Sequence, residues 1–149
     1  MATARLHLLT ERLSSLFRAD LRQVASDHGL KLVQLEALVF LSMANRYSDS
    51  PAALTEYFGL TKGTVSQTLK VLERDGLIDK HPDEHDGRVQ HCRVRKAGER
   101  IVAKAFPAPL FADVPPKEDA ALARALEALL RRLQHDNGLR TFGPCHSCR

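Results

Sequence analysis

The sequence predicts a mainly helical (α+β) fold with about six helices and a two- to three-stranded sheet. Three observations support this. Apolar residues repeat at helical spacing towards both ends of the chain, two short helical segments with marked ends lie in the middle, and two β-prone segments follow around a turn sequence. At 149 residues and 44% hydrophobic content, the chain is large enough for one core and small for two. We therefore expect a single domain over residues 1–149.

The N-terminal region predicts a long helix followed by a buried one. Residues spaced by three and four form an apolar stripe that ends at His28-Gly29. A more uniformly apolar helix over 31–44 is expected in the core. The polar connector 45–50 then leads to a short helix over 51–59, which proline opens and glycine closes. The stripe of the first helix consists of Leu6, Leu9, Leu13, Leu16, Phe17, Leu21 and Val24.

The next helix, over 61–76, carries the clearest functional pattern. Thr61 can accept bonds from the first-turn amides, and Gly76 can end the helix. At about 100° per residue, an apolar stripe lies opposite a small, polar and cationic one. The second stripe suits a major groove, because glycine permits close approach, Gln can bind an adenine edge, and Lys, Arg and hydroxyls can bind phosphates. The predicted DNA-binding residues here are Thr61, Lys62, Gly63, Thr64, Ser66, Gln67, Thr68, Lys70 and Arg74; the alternative is an amphipathic helix with a solvated polar face.

A basic-tipped hairpin follows this helix. Residues 77–81 and 89–94 can pair around 82–88, where Asp86-Gly87 favours a tight reversal. Arg88 then lies at the tip, where it can enter a narrow minor groove. We interpret Asp83 and Asp86 as residues that position Arg88 through a charge-assisted bond; the alternative is a solvated turn. Two helices and such a hairpin predict a winged helix-turn-helix over 31–95.

Residues 54–98 resemble the MarR family of bacterial transcription regulators. The resemblance rests on Thr64-Val65-Ser66, on the Leu-Glu-Arg-Asp-Gly-Leu-Ile stretch at 72–78, on the wing from Asp83 to Asp86-Gly87-Arg88, and on Gly98. It implies a dimeric repressor or activator whose recognition helices occupy successive major grooves. The wing arginine would then probe the minor groove.

The sequence also departs from the family pattern. Gln67 and His81 stand where the family often has arginine, which implies a different base preference. Val94-Arg95 replaces the Leu-Thr pair that usually closes the wing. Because arginine cannot act as a side-chain N-cap, the next helix is expected to begin without one.

The C-terminal region predicts two more helices, over about 96–106 and 117–136, with Pro115-Pro116 before the second. Both ends of the chain carry more apolar surface than one small domain easily buries. We therefore expect 5–30 and 96–137 to dimerise two copies, although packing within a monomer is the alternative. A homodimer would place two recognition helices about 34 Å apart and predicts a pseudo-palindromic site. The last helix carries its stripe on Leu122, Leu126, Leu129, Leu130 and Leu133.

The cysteines suggest two different roles. Cys92, in the second wing segment, is expected to be a small buried side chain. Cys145 and Cys148, in the 138–149 tail, form a C-x-x-C pair that can bind a metal or close a redox disulfide. With His146, they are the candidate residues for zinc or for a thiol-modifying effector, although no cofactor is required. An inert tail is the alternative.

Charge and composition limit the function classes. The net charge of +4 and pI near 9.2 modestly favour an anionic partner. Because no stretch of about 18 apolar residues and no leader sequence is present, we expect a cytoplasmic protein without a membrane partner. The expected function is that of a homodimeric transcription repressor, not an enzyme, which binds double-stranded DNA in a sequence-specific way. A small ligand, or cysteine or metal chemistry, is expected to release it from the DNA.

Two other classes remain open. A winged-helix module that binds protein would show no salt-sensitive DNA binding. A cysteine enzyme similar to DNA alkyltransferases is suggested by Pro144-Cys145-His146, but Ser147 replaces the arginine of that motif. A reactive cysteine also needs a base held beside the thiol in a packed site, which we do not expect in the predicted tail.

Overall fold

The computed structural model describes residues 2–136 and confirms the predicted mainly helical, winged helix-turn-helix fold. The described residues form six α-helices, one short 3-10 turn and a sheet of two antiparallel strands. The 3-10 turn was not predicted from the sequence. The elements are α1 Ala2–Asp27, α2 Leu32–Met43, α3 Pro51–Phe58, α4 Lys62–Arg74, β1 Ile78–Pro82, β2 Gln90–Val94, α5 Lys96–Ala105, the 3-10 turn Pro109–Phe111 and α6 Pro116–Asp136.

The ends of α3 and α4 form as their sequences predict. The Ser50 hydroxyl accepts a bond from the Ala53 amide at the start of α3, and the Thr61 hydroxyl accepts one from Thr64 at the start of α4. Each bond satisfies an amide that has no partner inside its helix. Gly59 ends α3 with φ +61°, a left-handed conformation that glycine adopts without a Cβ clash. These caps fix the short turn between the two helices.

Helix α2 lies at the centre of the packing. Leu38 belongs to the core beneath α3, α4 and the sheet, whereas Leu35 belongs to a second cluster with the C-terminal half of α1 and the end of α5. Cys92 is 1% exposed, which confirms its predicted burial, and desolvation raises its pKa to about 11. The first core includes Leu38, Leu41, Leu54, Val65, Leu69, Leu72, Ile78 and Cys92; the second includes Leu21, Val24, Ala25, Leu35, Ala105 and Ala108.

The sheet is fixed to the helices at its base. Ile78 pairs with Val94 and His81 with His91 in an antiparallel register. Gly98 of α5 packs so closely here that a Cβ atom would lie 2.5 Å from the Leu77 carbonyl oxygen and 2.8 Å from a Val94 methyl. Arg95 precedes α5 without a side-chain cap, as its sequence predicts. The base of the wing therefore has little freedom relative to the core.

Two apolar faces remain uncovered within the described chain. They lie on the N-terminal half of α1 and on α6, the two segments in which dimerisation helices were predicted. No described helix is both long and apolar enough to span a bilayer. The uncovered side chains are Leu6, Leu8, Leu9, Leu13 and Leu16 on α1, and Leu122, Leu126, Leu130 and Leu133 on α6.

Candidate nucleic-acid interface

The structure presents one polar face of α4 to solvent. Val65, Leu69 and Leu72 point into the core, and the opposite face carries small, polar and cationic residues. Thr68 is the exception among the predicted contacts. It is 7% exposed, because it lies close to one turn from Val65 on the buried side, so its predicted phosphate contact is wrong. The exposed candidates are Thr61, Lys62, Gly63, Thr64, Ser66, Gln67, Lys70 and Arg74.

Gly63 leaves this face open to close approach. A Cβ atom added there would meet only the Thr61 hydroxyl oxygen, at 3.9 Å. The packing of the protein itself therefore does not require glycine at this position. The absent side chain instead leaves the helix backbone accessible to a partner.

The cations of α4 differ in their freedom. The Arg74 Nε atom lies 2.8 Å from an Asp75 carboxylate oxygen. Lys62 and Lys70 are exposed and form no ion pair with any described residue. The two lysines therefore present their full charge to an anionic partner, whereas the charge of Arg74 is partly compensated.

The wing turn corrects the predicted roles of its aspartates. Asp86 accepts a bond from the backbone amide of Arg88 at 3.0 Å, and one oxygen of Asp83 accepts from the amides of His85 and Asp86 at 2.8 and 2.9 Å. Neither carboxylate bonds the Arg88 guanidinium, so the predicted charge-assisted bond is wrong. Turn aspartates bind amides two or three residues ahead because those amides lie within reach of a short side chain. The exposed Arg88 side chain has no partner among the described residues.

His91, which is not among the predicted site residues, lies between two carboxylates. Its Nδ1 atom is 2.6 Å from Asp49 Oδ1, and its Nε2 atom is 3.0 Å from Asp83 Oδ2. The bonds to Asp49 and then Asp83 raise the pKa of His91. The bond from His91, with the two turn amides, holds the pKa of Asp83 well below its usual range. No spacing pattern reveals this group, because Asp49 and His91 are 42 residues apart.

A groove at the junction of α1, α2 and α3 is a second candidate site. Glu36 lines it together with several aromatic side chains. Desolvation raises the pKa of Glu36, and the charge of Arg18 opposes that shift. The groove thus combines a poorly solvated carboxyl group with apolar walls. Its lining includes Phe17, Arg18, Leu32, Glu36, Tyr57 and Phe58.

The predicted tail site falls on residues that the structure does not describe. Cys145, His146 and Cys148 lie beyond residue 136, and their metal or redox role remains a prediction. Within residues 2–136, no group of three or more His, Cys, Asp or Glu side chains is arranged to hold a metal ion. The histidines of the wing therefore do not form a metal centre with their described neighbours.

Comparison with known proteins supports the family that the sequence suggested. A family model described as MarR family matches residues 28–89, and no curated protein matches the chain. A MarR family protein from Bacillus stearothermophilus has a similar structure, with a TM-score of 0.72 and 21% identity over 89% of this chain and 96% of the other.

Two further solved structures share the fold. A MarR family transcriptional regulator from Silicibacter pomeroyi gives a TM-score of 0.64 and 23% identity over 83% and 86% of the two chains. An S. aureus MepR–DNA complex gives 0.62 and 20% over 85% and 96%. The chain is therefore similar to MarR family proteins, in sequence over residues 28–89 and in fold over most of its length.

Proposed function

We propose that the protein is a homodimeric, sequence-specific DNA-binding transcription regulator that acts in the cytoplasm. The observation that carries the proposal is the open face of α4, where Gly63 leaves the backbone bare and Lys62 and Lys70 form no ion pair with any described residue. The wing adds Arg88 at its tip, an exposed arginine without an ion-pair partner between residues 2 and 136. S. aureus MepR, whose structure shares this fold, forms a complex with DNA, which supports DNA binding by this chain.

The exposed residues divide into two kinds of contact. Gly63, Gln67 and Lys70 lie towards the middle of the exposed face and would meet base edges in the major groove. Arg88 would enter the adjacent minor groove, where a narrow A·T stretch concentrates negative potential. The remaining candidates would bind phosphates and fix the position of the helix; they are Thr61, Lys62, Thr64, Ser66 and Arg74.

The uncovered leucines of α1 and α6 support the homodimer. Exposed apolar stripes of this length are costly in water, and a second copy would cover them through a symmetric interface. Two recognition helices would then meet successive major grooves about 34 Å apart. The DNA site would be a pseudo-palindrome with half-sites separated by one helical turn.

Release from DNA would follow binding of an effector at the groove beside Glu36. This groove lies where α1 meets the DNA-binding lobe, so an occupant can favour one spacing of the two lobes over another. Its aromatic walls and half-buried carboxyl group suit a small apolar molecule with a hydrogen-bond donor. Modification of Cys145 and Cys148, or zinc binding with His146, is the second proposed route of release.

The test is to select bound fragments from the source genome and measure affinity for the selected site as salt is varied. Each neutralised phosphate contributes a slope of about −0.9 in log affinity against log salt, so several contacts predict a steep fall. Affinity that is absent or insensitive to salt would instead favour the protein-interaction alternative. Repeating the assay with oxidant, zinc or chelator on Cys145→Ser and Cys148→Ser variants tests the tail, because unchanged binding under every treatment excludes it as a sensor.

A further inference from the structure

We propose that His91 is a positioning residue for DNA binding: as an imidazolium it clamps the wing turn to the connector between α2 and α3, and loss of its proton releases the turn and weakens DNA binding. The inference rests on the proposed DNA-binding function. It concerns a contact between two segments that are distant in sequence, with Asp49 in the connector and Asp83 in the turn that follows β1.

The geometry requires two donors on one ring. Both ring nitrogens of His91 face carboxylate oxygens, at 2.6 Å for Asp49 and 3.0 Å for Asp83. Only the imidazolium carries a hydrogen on each nitrogen. A neutral ring would direct a lone pair at one of the two carboxylates, and that contact would become repulsive. The clamp is therefore intact only while His91 is protonated.

The connector provides the fixed end of the clamp. The Cys92 amide donates to the Asp49 carbonyl oxygen at 2.7 Å, a backbone bond that does not depend on protonation. Cys92 is itself buried in the core, so β2 and the connector stay together when His91 titrates. The Asp83 amide also donates to a carbonyl oxygen, that of Val89 at 2.9 Å, but this bond stays within the wing and does not reach the connector. Of the two carboxylates, that of Asp83 is therefore the one that can move away from His91.

The free end of the clamp leads directly to Arg88. One oxygen of Asp83 bonds His91, and the other holds the amides of His85 and Asp86. Asp86 in turn holds the amide of Arg88. A continuous series of bonds thus runs from the connector to the residue proposed to enter the minor groove. Release of Asp83 increases the conformational freedom of the tip, which binding must then remove at a cost in affinity.

The surroundings determine the direction of the pH effect. The His81 ring stacks on the His91 ring, with 5.6 Å between the ring centroids. Because the two carboxylate bonds raise the pKa of His91, the clamp is present below that pKa and is lost as pH rises through it. The titratable and charged groups around the ring are Arg46, Tyr47 and Asp49 from the connector, His81 from β1, Asp83, Glu84 and His85 from the turn, and Arg93 from β2.

The experiment measures affinity for the selected DNA site between pH 5.5 and 9 at constant ionic strength. For the wild type we expect affinity to fall by up to about tenfold per pH unit above the pKa of His91, as linkage to one proton requires. His91→Gln should lack this step and bind weakly at every pH. Asp49→Asn should move the step to lower pH, because it removes a negative charge that favours the imidazolium.

His85→Gln is the matched control, because it removes an exposed imidazole from the same wing and leaves both bonds of His91 in place. It should keep the pH step. In the DNA-free protein, NMR should show the amides of residues 83–88 shifting with the titration of the His91 ring. Circular dichroism establishes that each variant is folded.

The possible outcomes separate the two proposals. A His91→Gln variant that is folded and keeps the wild-type pH step would overturn the clamp alone, and so would turn amides that do not follow the His91 titration. If neither the wild type nor any variant binds DNA at any pH, the proposed function is overturned, and with it the role of the clamp in DNA binding. A step that is absent only from His91→Gln and moved to lower pH in Asp49→Asn would support the clamp.

Discussion

Gln67 and Lys62 are both exposed on α4, yet their side chains suit different DNA contacts. Gln67 has an amide that can donate to and accept from one adenine edge, which makes its energy depend on the base. Lys62 lies in the first turn of the helix and carries a charge that any phosphate satisfies. The two residues therefore allow base recognition and backbone affinity to be measured separately.

We expect Gln67→Ala to weaken binding to the selected site by about 1–3 kcal/mol and to reduce discrimination at one base position. Lys62→Ala should weaken binding to all sequences alike and reduce the salt slope by about one. Competition binding with single-base variants of the site, at several salt concentrations, checks both. Equal losses on every sequence for Gln67→Ala would contradict its role in base recognition.

Cys92 combines 1% exposure with a pKa raised to about 11 by burial. Because the thiolate is the nucleophile, about one thousandth of the thiol would be reactive at pH 8 even if a reagent reached it. In the Cys145→Ser/Cys148→Ser double variant, Cys92 is the sole thiol. We expect iodoacetamide to label it far more slowly in the native protein than in urea, as followed by mass spectrometry. Equal rates would show that this part of the sheet opens readily.

Sequence patterns predicted single residues where helical periodicity determines their orientation. The face of α4 follows from the 100° spacing, and the one error, Thr68, lies at the edge of the buried stripe. The wing required more than periodicity. The partners of Asp83 and Asp86 depend on turn geometry, and the contact between His91 and Asp49 depends on how two distant segments pack. Neither leaves a local pattern.

At the scale of the elements, the base of the wing depends on the close approach of α5. Gly98 allows this approach, because any Cβ atom there would meet the Leu77 carbonyl oxygen and the Val94 side chain. Gly63 on α4 is also helical but faces open space. Gly98 is therefore required by the packing of the protein itself. Gly63 is not, and its missing side chain matters only for a partner that approaches the surface.

We expect Gly98→Ala to lower the free energy of unfolding by about 1–3 kcal/mol, because the sheet or α5 must shift. Gly63→Ala is its control and should leave stability unchanged or raise it slightly, because alanine favours the helix. Gly63→Ala should nevertheless weaken DNA binding by preventing close approach. Urea unfolding and DNA titration measure the two effects. A Gly98→Ala protein with the wild-type free energy of unfolding would mean that α5 can shift relative to the sheet at little cost.

The helix boundaries were predicted well because their signals are local. Ser50, Thr61 and Gly59 stop or start α3 and α4 through bonds and dihedral angles that each residue supplies itself. The 3-10 turn Pro109–Phe111 lacked such a signal. It packs against α1, and the Leu110 amide donates to Asp20, 90 residues away in sequence. Its conformation is therefore stabilised by tertiary contacts that the local sequence does not encode.

At the scale of the whole molecule, the apolar stripe on α6 has no cover within the described chain. Leu126 lies near the middle of this stripe and is exposed, whereas Ala128 lies on the opposite side of the helix. If two copies cover each other's stripes in a symmetric dimer, the Leu126 side chain of each copy becomes buried. Burial of one leucine side chain contributes about 1.5–3 kcal/mol, so its replacement should have a large effect on association.

We therefore expect Leu126→Gln to raise the dimer dissociation constant at least about tenfold, and Ala128→Gln to leave it unchanged. Sedimentation equilibrium measures the constant directly. Because the two half-sites are bound together only by a dimer, Leu126→Gln should also reduce the advantage of a full pseudo-palindrome over a half-site. A dissociation constant equal to that of the wild type would place the interface elsewhere. A wild-type protein that is monomeric while still preferring the full site would mean that two copies meet only on DNA.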